Sequence, residues 1–158
     1  MKKAAALFAL FIFIPALLFA AGSVTLTSDD TESFPGGKTW RILEWTITTT
    51  AGQSTATGGS ATGVAGKIIG VHVEPDATNR PDDDWDLDVL DATSTDVCQS
   101  DLDNLPRYST DNGCLRYPVT DDAGASIYLF NENLSLSVTN FNSAGTATSV
   151  LFMYIELP

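Results

Sequence analysis

Positive charge is scarce in this sequence. Of its 158 residues, 8 are Lys or Arg and 20 are Asp or Glu, which gives a formal net charge of −12 at pH 7. So few cations leave no basic patch to neutralise nucleic-acid phosphates, and an anionic membrane surface would repel the chain. We therefore predict no nucleic-acid partner and a soluble domain that resists aggregation.

Histidine and cysteine are rarer still. His72 is the only histidine, and Cys98 and Cys114 are the only cysteines. A Ser-His-Asp or Cys-His mechanism would depend on His72 alone, and no G-x-S-x-G motif supplies a nucleophile. Zinc or redox chemistry would need a CxxC pair or a His beside the cysteines. We predict a protein that is not an enzyme, without catalytic residues, and with His72 at the surface on the polar face of a strand.

The one long apolar run lies at the N-terminus. Lys2 and Lys3 precede an unbroken apolar stretch from Ala4 to Ala21, and small residues follow, which is the layout of a secretory signal peptide. Residues 1–22 are predicted as this leader, with cleavage after either Ala20 or Gly22. Its loss changes the charge to 6 − 20 = −14. A retained membrane anchor is the alternative, because the run is about as long as a bilayer is thick.

Export determines where the mature domain, residues 23–158, would function. We predict a periplasmic or extracellular protein with no stable membrane contact once the leader is removed. Such compartments are oxidising, so Cys98 and Cys114 are predicted to form a disulfide. Closing this loop would contribute ~3 kcal/mol in the chain-entropy account, and would pin a segment with little apolar periodicity.

No amphipathic helix follows the leader. Apolar residues instead recur at every second position or in short runs between Gly, Pro, Asn, Asp, Ser and Thr, which predicts an all-β fold. The short, turn-separated strands favour a single antiparallel β-sandwich, of jelly-roll type. Within it, Pro75 is expected to end a strand, residues 51–66 to form a mobile loop or small-residue hairpin, and the last strand to be buried on both faces.

The stretch RPDDDWDLDVLD, residues 80–91, is the most acidic part of the chain. Asp84, Asp86 and Asp88 alternate with apolar residues, which predicts a half-buried strand with one acidic face. An EF-hand loop fails on spacing. A looser calcium site using Asp82, Asp83 or Asp84 with Asp76 stays open, and no other cofactor is predicted. Neighbouring carboxylates on one solvated face are poorly placed for glycoside hydrolysis.

Aromatic residues offer a different kind of site. Trp45 and Trp85 share the apolar phases of their strands, so we expect them in the core. Tyr108, within the segment between the cysteines, is the best candidate for an exposed sugar-stacking platform. A secreted carbohydrate-binding or calcium-binding module is therefore one functional hypothesis.

The order of segments LEWTITTTAG, GVAGKIIGVHVEPDATNRPDDDWDLDVLDATSTDV and NENLSLSVTNFNSAGTATSVLFMYIE resembles small β-sandwich virion structural proteins of tailed bacteriophages and environmental viruses. The shared motifs fall on Trp45–Thr46, on Pro75, on Pro81 with Trp85 and Asp86, and on Leu134–Asn140. The resemblance spans residues 40–157. It implies a virion component that decorates a head or joins a tail, without active-site residues.

Two functional hypotheses follow. The first is a non-enzymatic viral structural accessory protein, virion-associated, that binds itself or other virion structural proteins. The second is the secreted or periplasmic ligand-binding sandwich. Neighbouring genes would separate the two hypotheses.

Overall fold

The computed structural model describes residues 22–76, 78–99, 101–105, 115–117, 119–121, 123–141 and 145–158. The predicted leader and Cys114 lie outside these residues. The described part of the chain is all-β and contains no helix. Its seven strands are β1 (Gly22–Ser33), β2 (Thr39–Thr49), β3 (Ala56–Pro75), β4 (Asp86–Leu90), β5 (Leu115–Tyr117), β6 (Tyr128–Thr139) and β7 (Ala147–Glu156).

The strands form one sheet in the order β1-β2-β7-β3-β6-β4, with β5 paired to β3. Strands from the two ends of the chain are interleaved, since β7 lies between β2 and β3. The all-β, mainly antiparallel architecture confirms the predicted fold class. All pairings between described strands are antiparallel except one, because Gly22–Val24 of β1 runs parallel to Ala56–Gly58 of β3.

β3 is the strand that turns the sheet back on itself. Its first part pairs with β6 as far as Lys67, and its second part, from Lys67 to Pro75, pairs with β7. Because the start of β3 also pairs with β1, the strands β1, β2, β7 and β3 form a closed circuit. The two halves of the sheet therefore face each other across one core, as in a sandwich.

The long β3 corrects the prediction of a loop or hairpin at residues 51–66. Only residues 50–55 connect β2 to β3, and the small-residue segment from Ala56 onward is strand. The segment lacks large side chains because other groups occupy their space. Gly59 has φ +66°, and a Cβ there would lie 2.5 Å from Cδ1 of Trp45, whose indole N–H donates to the Gly59 carbonyl. Glycine is the residue that tolerates both conditions.

The core is a single cluster to which every long strand contributes. Trp45, Leu87, Leu136 and Leu151 are fully buried, and they come from β2, β4, β6 and β7. The predicted period-two alternation is confirmed in β4, where Trp85, just before the strand, is buried together with Leu87 and Val89. β7 differs from its prediction. One face is buried, but the other is only half-buried by the described residues.

The ends of the strands follow the predicted turn chemistry. Pro75 is the last residue of β3, since proline has no N–H to continue the ladder. Between β1 and β2, the turn at residues 34–38 closes with the Phe34 N–H donating to the Lys38 carbonyl at 2.8 Å.

Candidate functional site

The acidic residues of β4 hold neighbouring loops in place. Asp86 accepts hydrogen bonds from the Asn104 N–H at 2.9 Å, from the Thr139 hydroxyl at 3.2 Å and from the Asn140 amide at 3.1 Å. These donors come from both sides of β4. Such bonds consume the carboxylate oxygens that a metal ion would need.

A strap, residues 96–99 and 101–105, covers the outer edge of β4. The Leu87 N–H donates to the Leu102 carbonyl, and the Val97 N–H to the Val89 carbonyl. Asp96 accepts from the Val89 and Cys98 N–H groups at 3.1 and 3.0 Å. An uncovered edge strand would be a template for pairing with other chains, and the strap removes that template.

Asp88 of β4 is a partly buried acid near other carboxylates. Partial burial raises its pKa, and the negative charges of Asp96, Asp103 and Asp86 raise it further. The carboxylates of Asp86, Asp88, Asp96 and Asp103 are therefore close enough to interact electrostatically. Within the residues that the structure describes, however, no three His, Cys, Asp or Glu side chains are grouped so that they could hold a metal ion.

The candidate calcium ligands are not brought together. Asp76 accepts from the Thr78 and Asn79 N–H groups at 2.8 and 2.7 Å, and these bonds lower its pKa. It therefore shapes the turn after β3. The Asp82 backbone donates to the Phe141 carbonyl at 2.8 Å, whereas Asp84 has φ 59° in the turn before Trp85.

Cys98 is a fully buried residue of the strap, and among the described residues its thiol has no disulfide partner. Burial raises its pKa, with smaller contributions from Asp96, Asp101 and Asp88, so the thiol is un-ionised at neutral pH. Cys114 lies outside the described residues, and the disulfide stays a prediction.

His72 departs from the prediction of a surface residue. It points outward from β3, as the alternation requires, but its exposed fraction is only 8 %. The ring lies 5.6 Å from the Phe152 ring, and Nε2 lies 3.5 Å from the Glu74 carboxylate. Its strand pairs at this point with Arg116 of β5 on one side and with Phe152 of β7 on the other. Phe152 of the neighbouring β7 thus packs against a residue that its own strand pattern would expose.

The tryptophan predictions are confirmed, because Trp45 and Trp85 are both fully buried. The candidate platform Tyr108 lies outside the described residues. Among those described, the large apolar side chains with high exposure are Tyr128 at 58 % and Phe130 at 79 %, both on β6. Sequence alternation could have marked these two positions, since both flank the buried Leu129.

Tyr128 belongs to a row of outward-facing side chains that crosses four strands. Lys67 of β3 pairs with Tyr128 on one side and with Glu156 of β7 on the other, and Glu156 in turn pairs with Trp40 of β2. Directly paired residues point to the same face of a sheet. Tyr128, Lys67, Glu156 and Trp40 therefore form one line, called here the cross-strand row.

A pocket of about 230 Å³ opens at one end of the cross-strand row. Its walls are Gly66, Lys67, Tyr128, Glu156, Leu157 and Pro158. Glu156 forms an ion pair with Lys38 at 2.5 Å. The C-terminal wall is anchored, because the Leu157 N–H donates to the Thr39 carbonyl at 2.8 Å. The pocket thus combines an aromatic ring with groups of both charges.

The outward face of β7 continues from this row as an apolar strip. Val150, Phe152 and Tyr154 are half-exposed, and Ile42 of β2 is the cross-strand partner of Tyr154. Phe34, Trp40 and Tyr154 pack edge to face or tilted, with ring centroids 4.4 and 6.2 Å apart. We call these residues the outer apolar face.

Neither a protein-family model nor a curated protein matches this chain. No helix with the length and apolar character of a membrane span occurs in the part of the chain that the structure describes. Function must therefore be inferred from the fold and from these two surfaces.

Proposed function

We propose that the protein is a non-enzymatic structural accessory protein of a virion, associated with a head or a tail. The outer apolar face is the observation that carries this proposal. The outward side of an antiparallel sandwich is normally polar, because it faces water. A contiguous apolar surface in that place is typical of a protein–protein contact.

The outer apolar face is already packed before any partner binds. The Trp40 ring contacts both Phe34 and Tyr154, and the Phe152 ring contacts His72. Side chains held by such contacts lose little conformational entropy when a partner covers them. A preformed aromatic surface therefore suits a component that docks as a rigid body.

Charge determines which partner suits this face. Glu44 and Glu74 are the cross-strand neighbours of Phe152 and Val150, so carboxylates border the strip on both sides. A coat or tail protein with a basic rim would complement them. A second copy of this chain would fit only in an offset arrangement that keeps the carboxylates apart.

The covered edge of β4 supports docking through a face. The strap occupies the hydrogen-bonding groups with which β4 could add a strand from another chain. Assembly by addition of a strand at that edge is therefore disfavoured, whereas the outer apolar face is open.

Export and oxidation complete the proposal. Residues 1–22 would direct the chain out of the cytoplasm, and oxidation there would join Cys98 to Cys114, fixing the strap to the sheet. Mass spectrometry of the purified protein with and without reduction tests this pairing. A disulfide adds two mass units on reduction, whereas two free thiols leave the mass unchanged.

Size-exclusion chromatography with light scattering, with calcium and with chelator, tests the assembly role. We expect a defined oligomer, or a stable complex with virion structural proteins, in both conditions. Phe152→Ser should abolish it, whereas the matched control Phe130→Ser, which removes a more exposed ring outside the face, should not. A monomer without affinity for any virion protein, stabilised only by calcium, would favour the secreted binding module instead.

The neighbouring genes give a second test. Capsid, portal or tail genes beside this one support the proposal. Transport or polysaccharide genes there would contradict it.

A further inference from the structure

The pocket on the cross-strand row differs in character from the outer apolar face. Three strands meet at Lys67, because β3 changes partners there from β6 to β7. Tyr128 and Glu156 are consequently held on either side of Lys67. Adjacent strands lie ~4.8 Å apart, so the aromatic ring and the carboxylate are separated by roughly twice that distance.

The ring of Tyr128 is mostly exposed to solvent. Its exposed fraction is 58 %, whereas its strand neighbour Leu129 is 4 % exposed and belongs to the core. Exposing a large ring forgoes the stabilisation that burial would give. The exposed face of the Tyr128 ring is therefore available to contact a ligand.

The polar groups of the pocket are complementary in hydrogen bonding. The Lys67 ammonium can only donate, and the Glu156 carboxylate can only accept. Among the described residues Lys67 forms no ion pair, whereas Glu156 is oriented by Lys38 at 2.5 Å. Donor and acceptor thus stand beside an apolar ring in a pocket that is open to solvent.

We propose that the pocket formed by Tyr128, Lys67 and Glu156 binds a pyranose unit of a neutral glycan. The apolar C–H face of the sugar ring would stack on Tyr128. Its hydroxyl groups would accept from Lys67 and donate to Glu156. Pockets with an apolar wall and a few fixed polar groups are the usual form of small-ligand sites.

The charge of the chain restricts the ligand to a neutral one. With a net charge of −12, the protein repels acidic sugars and nucleotides at long range. An amphipathic ligand with many hydroxyl groups fits the pair of charged side chains better than a purely apolar ligand, which would leave them desolvated and unpaired.

This proposal does not depend on the virion role, because the pocket residues differ from the residues of the outer apolar face that carry it. Isothermal titration calorimetry of the purified protein with cellohexaose, maltohexaose and N-acetylchitohexaose would test it. We expect at least one of them to bind, with an affinity that Tyr128→Ala weakens by about tenfold or more. Tyr128→Phe should retain binding, because the stacking face remains.

Phe130→Ala is the matched control, since Phe130 is even more exposed, at 79 %, but does not line the pocket. It should bind the saccharide as the wild type does, and Lys67→Met should weaken binding. Failure of all three hexasaccharides to bind would overturn the proposal. Equal losses in Tyr128→Ala and Phe130→Ala would also overturn it, since they would show non-specific aromatic contact.

Light scattering on the same variants separates this proposal from the virion role. Tyr128→Ala should leave the oligomeric mass unchanged. A change in mass without any effect on saccharide binding would identify Tyr128 as a protein contact and would refute the glycan site. Loss of assembly in Phe152→Ser with intact saccharide binding would support both proposals independently.

Discussion

The two long ladders of the sheet are built differently. β2 and β7 pair over ten consecutive residues, from Trp40 with Glu156 to Thr49 with Ala147, without a register shift. β3 and β6 pair over seven positions with three register shifts. The regular ladder is rich in large side chains, whereas the β3 part of the irregular one is rich in Gly, Ala, Ser and Thr. A strand keeps a regular register when large side chains must point to one particular face of the sheet. Small residues allow bulges, and bulges let the sheet bend.

The irregular ladder needs support from outside its own strand. Trp45 of the regular ladder donates to the Gly59 carbonyl, and Arg41 donates to the carbonyls of Thr62 and Gly63 at 3.0 and 2.9 Å. Breaking these connections should therefore destabilise the protein more than shortening outward-facing side chains of the regular ladder.

The largest effect is expected for Trp45→Ala. The substitution empties a fully buried site and removes the bond to the Gly59 carbonyl, so we expect a loss of ~3–5 kcal/mol in the free energy of unfolding. Urea unfolding followed by circular dichroism measures it. Trp40→Ala, at the half-exposed outer position of the same strand, should cost clearly less. Equal losses of unfolding free energy in the two variants would contradict the expectation that inner positions of β2 contribute more stability than outer ones.

Gly66→Ala should have the next largest effect, about 2–3 kcal/mol. Gly66 has φ +132°, and a Cβ there would clash with the Glu156 carbonyl oxygen. Gly124→Ala is the control, because Gly124 also has positive φ, +76°, but nothing lies within 4 Å of its Cβ position. Thermal unfolding of both variants separates the clash from backbone strain. A control as unstable as Gly66→Ala would show that the close approach is unimportant.

Arg41→Gln should cost about 1–2 kcal/mol, because charge-assisted bonds are lost. Arg41 pairs with both Asp29 oxygens at 2.7 Å, and this hydrogen bond lowers the Asp29 pKa. An acid with a lowered folded-state pKa stabilises above its unfolded pKa and loses that contribution as pH falls through the folded value. The variant's deficit should therefore shrink with acidification in pH-dependent urea titrations. A deficit that is constant with pH would contradict this assignment.

Asp88→Asn should have the smallest effect and the opposite sign. Burial and neighbouring carboxylates raise the Asp88 pKa, so its charge destabilises the folded state at neutral pH. The variant should be more stable at pH 7 by well under ~1 kcal/mol, and the gain should vanish as pH falls through the raised pKa. Thermal unfolding across this range measures it. Destabilisation at pH 7 would show that the carboxylate makes a needed bond.

Sequence patterns predicted the parts of the fold in which apolar and polar side chains point to opposite faces of a strand. Alternation identified the buried positions of β4, placed Trp45 and Trp85 in the core, and Pro75 marked the end of β3. It failed for the small-residue part of β3, because Gly59 is required by Trp45, which is distant in sequence. Alternation also failed for His72, which packs against Phe152 of β7. Contacts made by other strands leave no local pattern.

The candidate sites show the same limit. The acidic stretch resembles a site because its residues are adjacent in sequence, yet Asp86 bonds to the strap and Asp91 holds a turn. The cross-strand row joins Trp40, Lys67, Tyr128 and Glu156, which are scattered along the chain. Only the pairing of four strands brings them into line, so no motif could have indicated the pocket.

The central position of β7 has a consequence for how the protein is made. The last strand of the chain lies between β2 and β3, so neither can complete its pairing until the final residues are available. Pairing between strands this distant in sequence is slow, because the entropy cost of closing a long loop precedes the stabilising contacts between the strands. The sheet therefore cannot close until β7 has been synthesised.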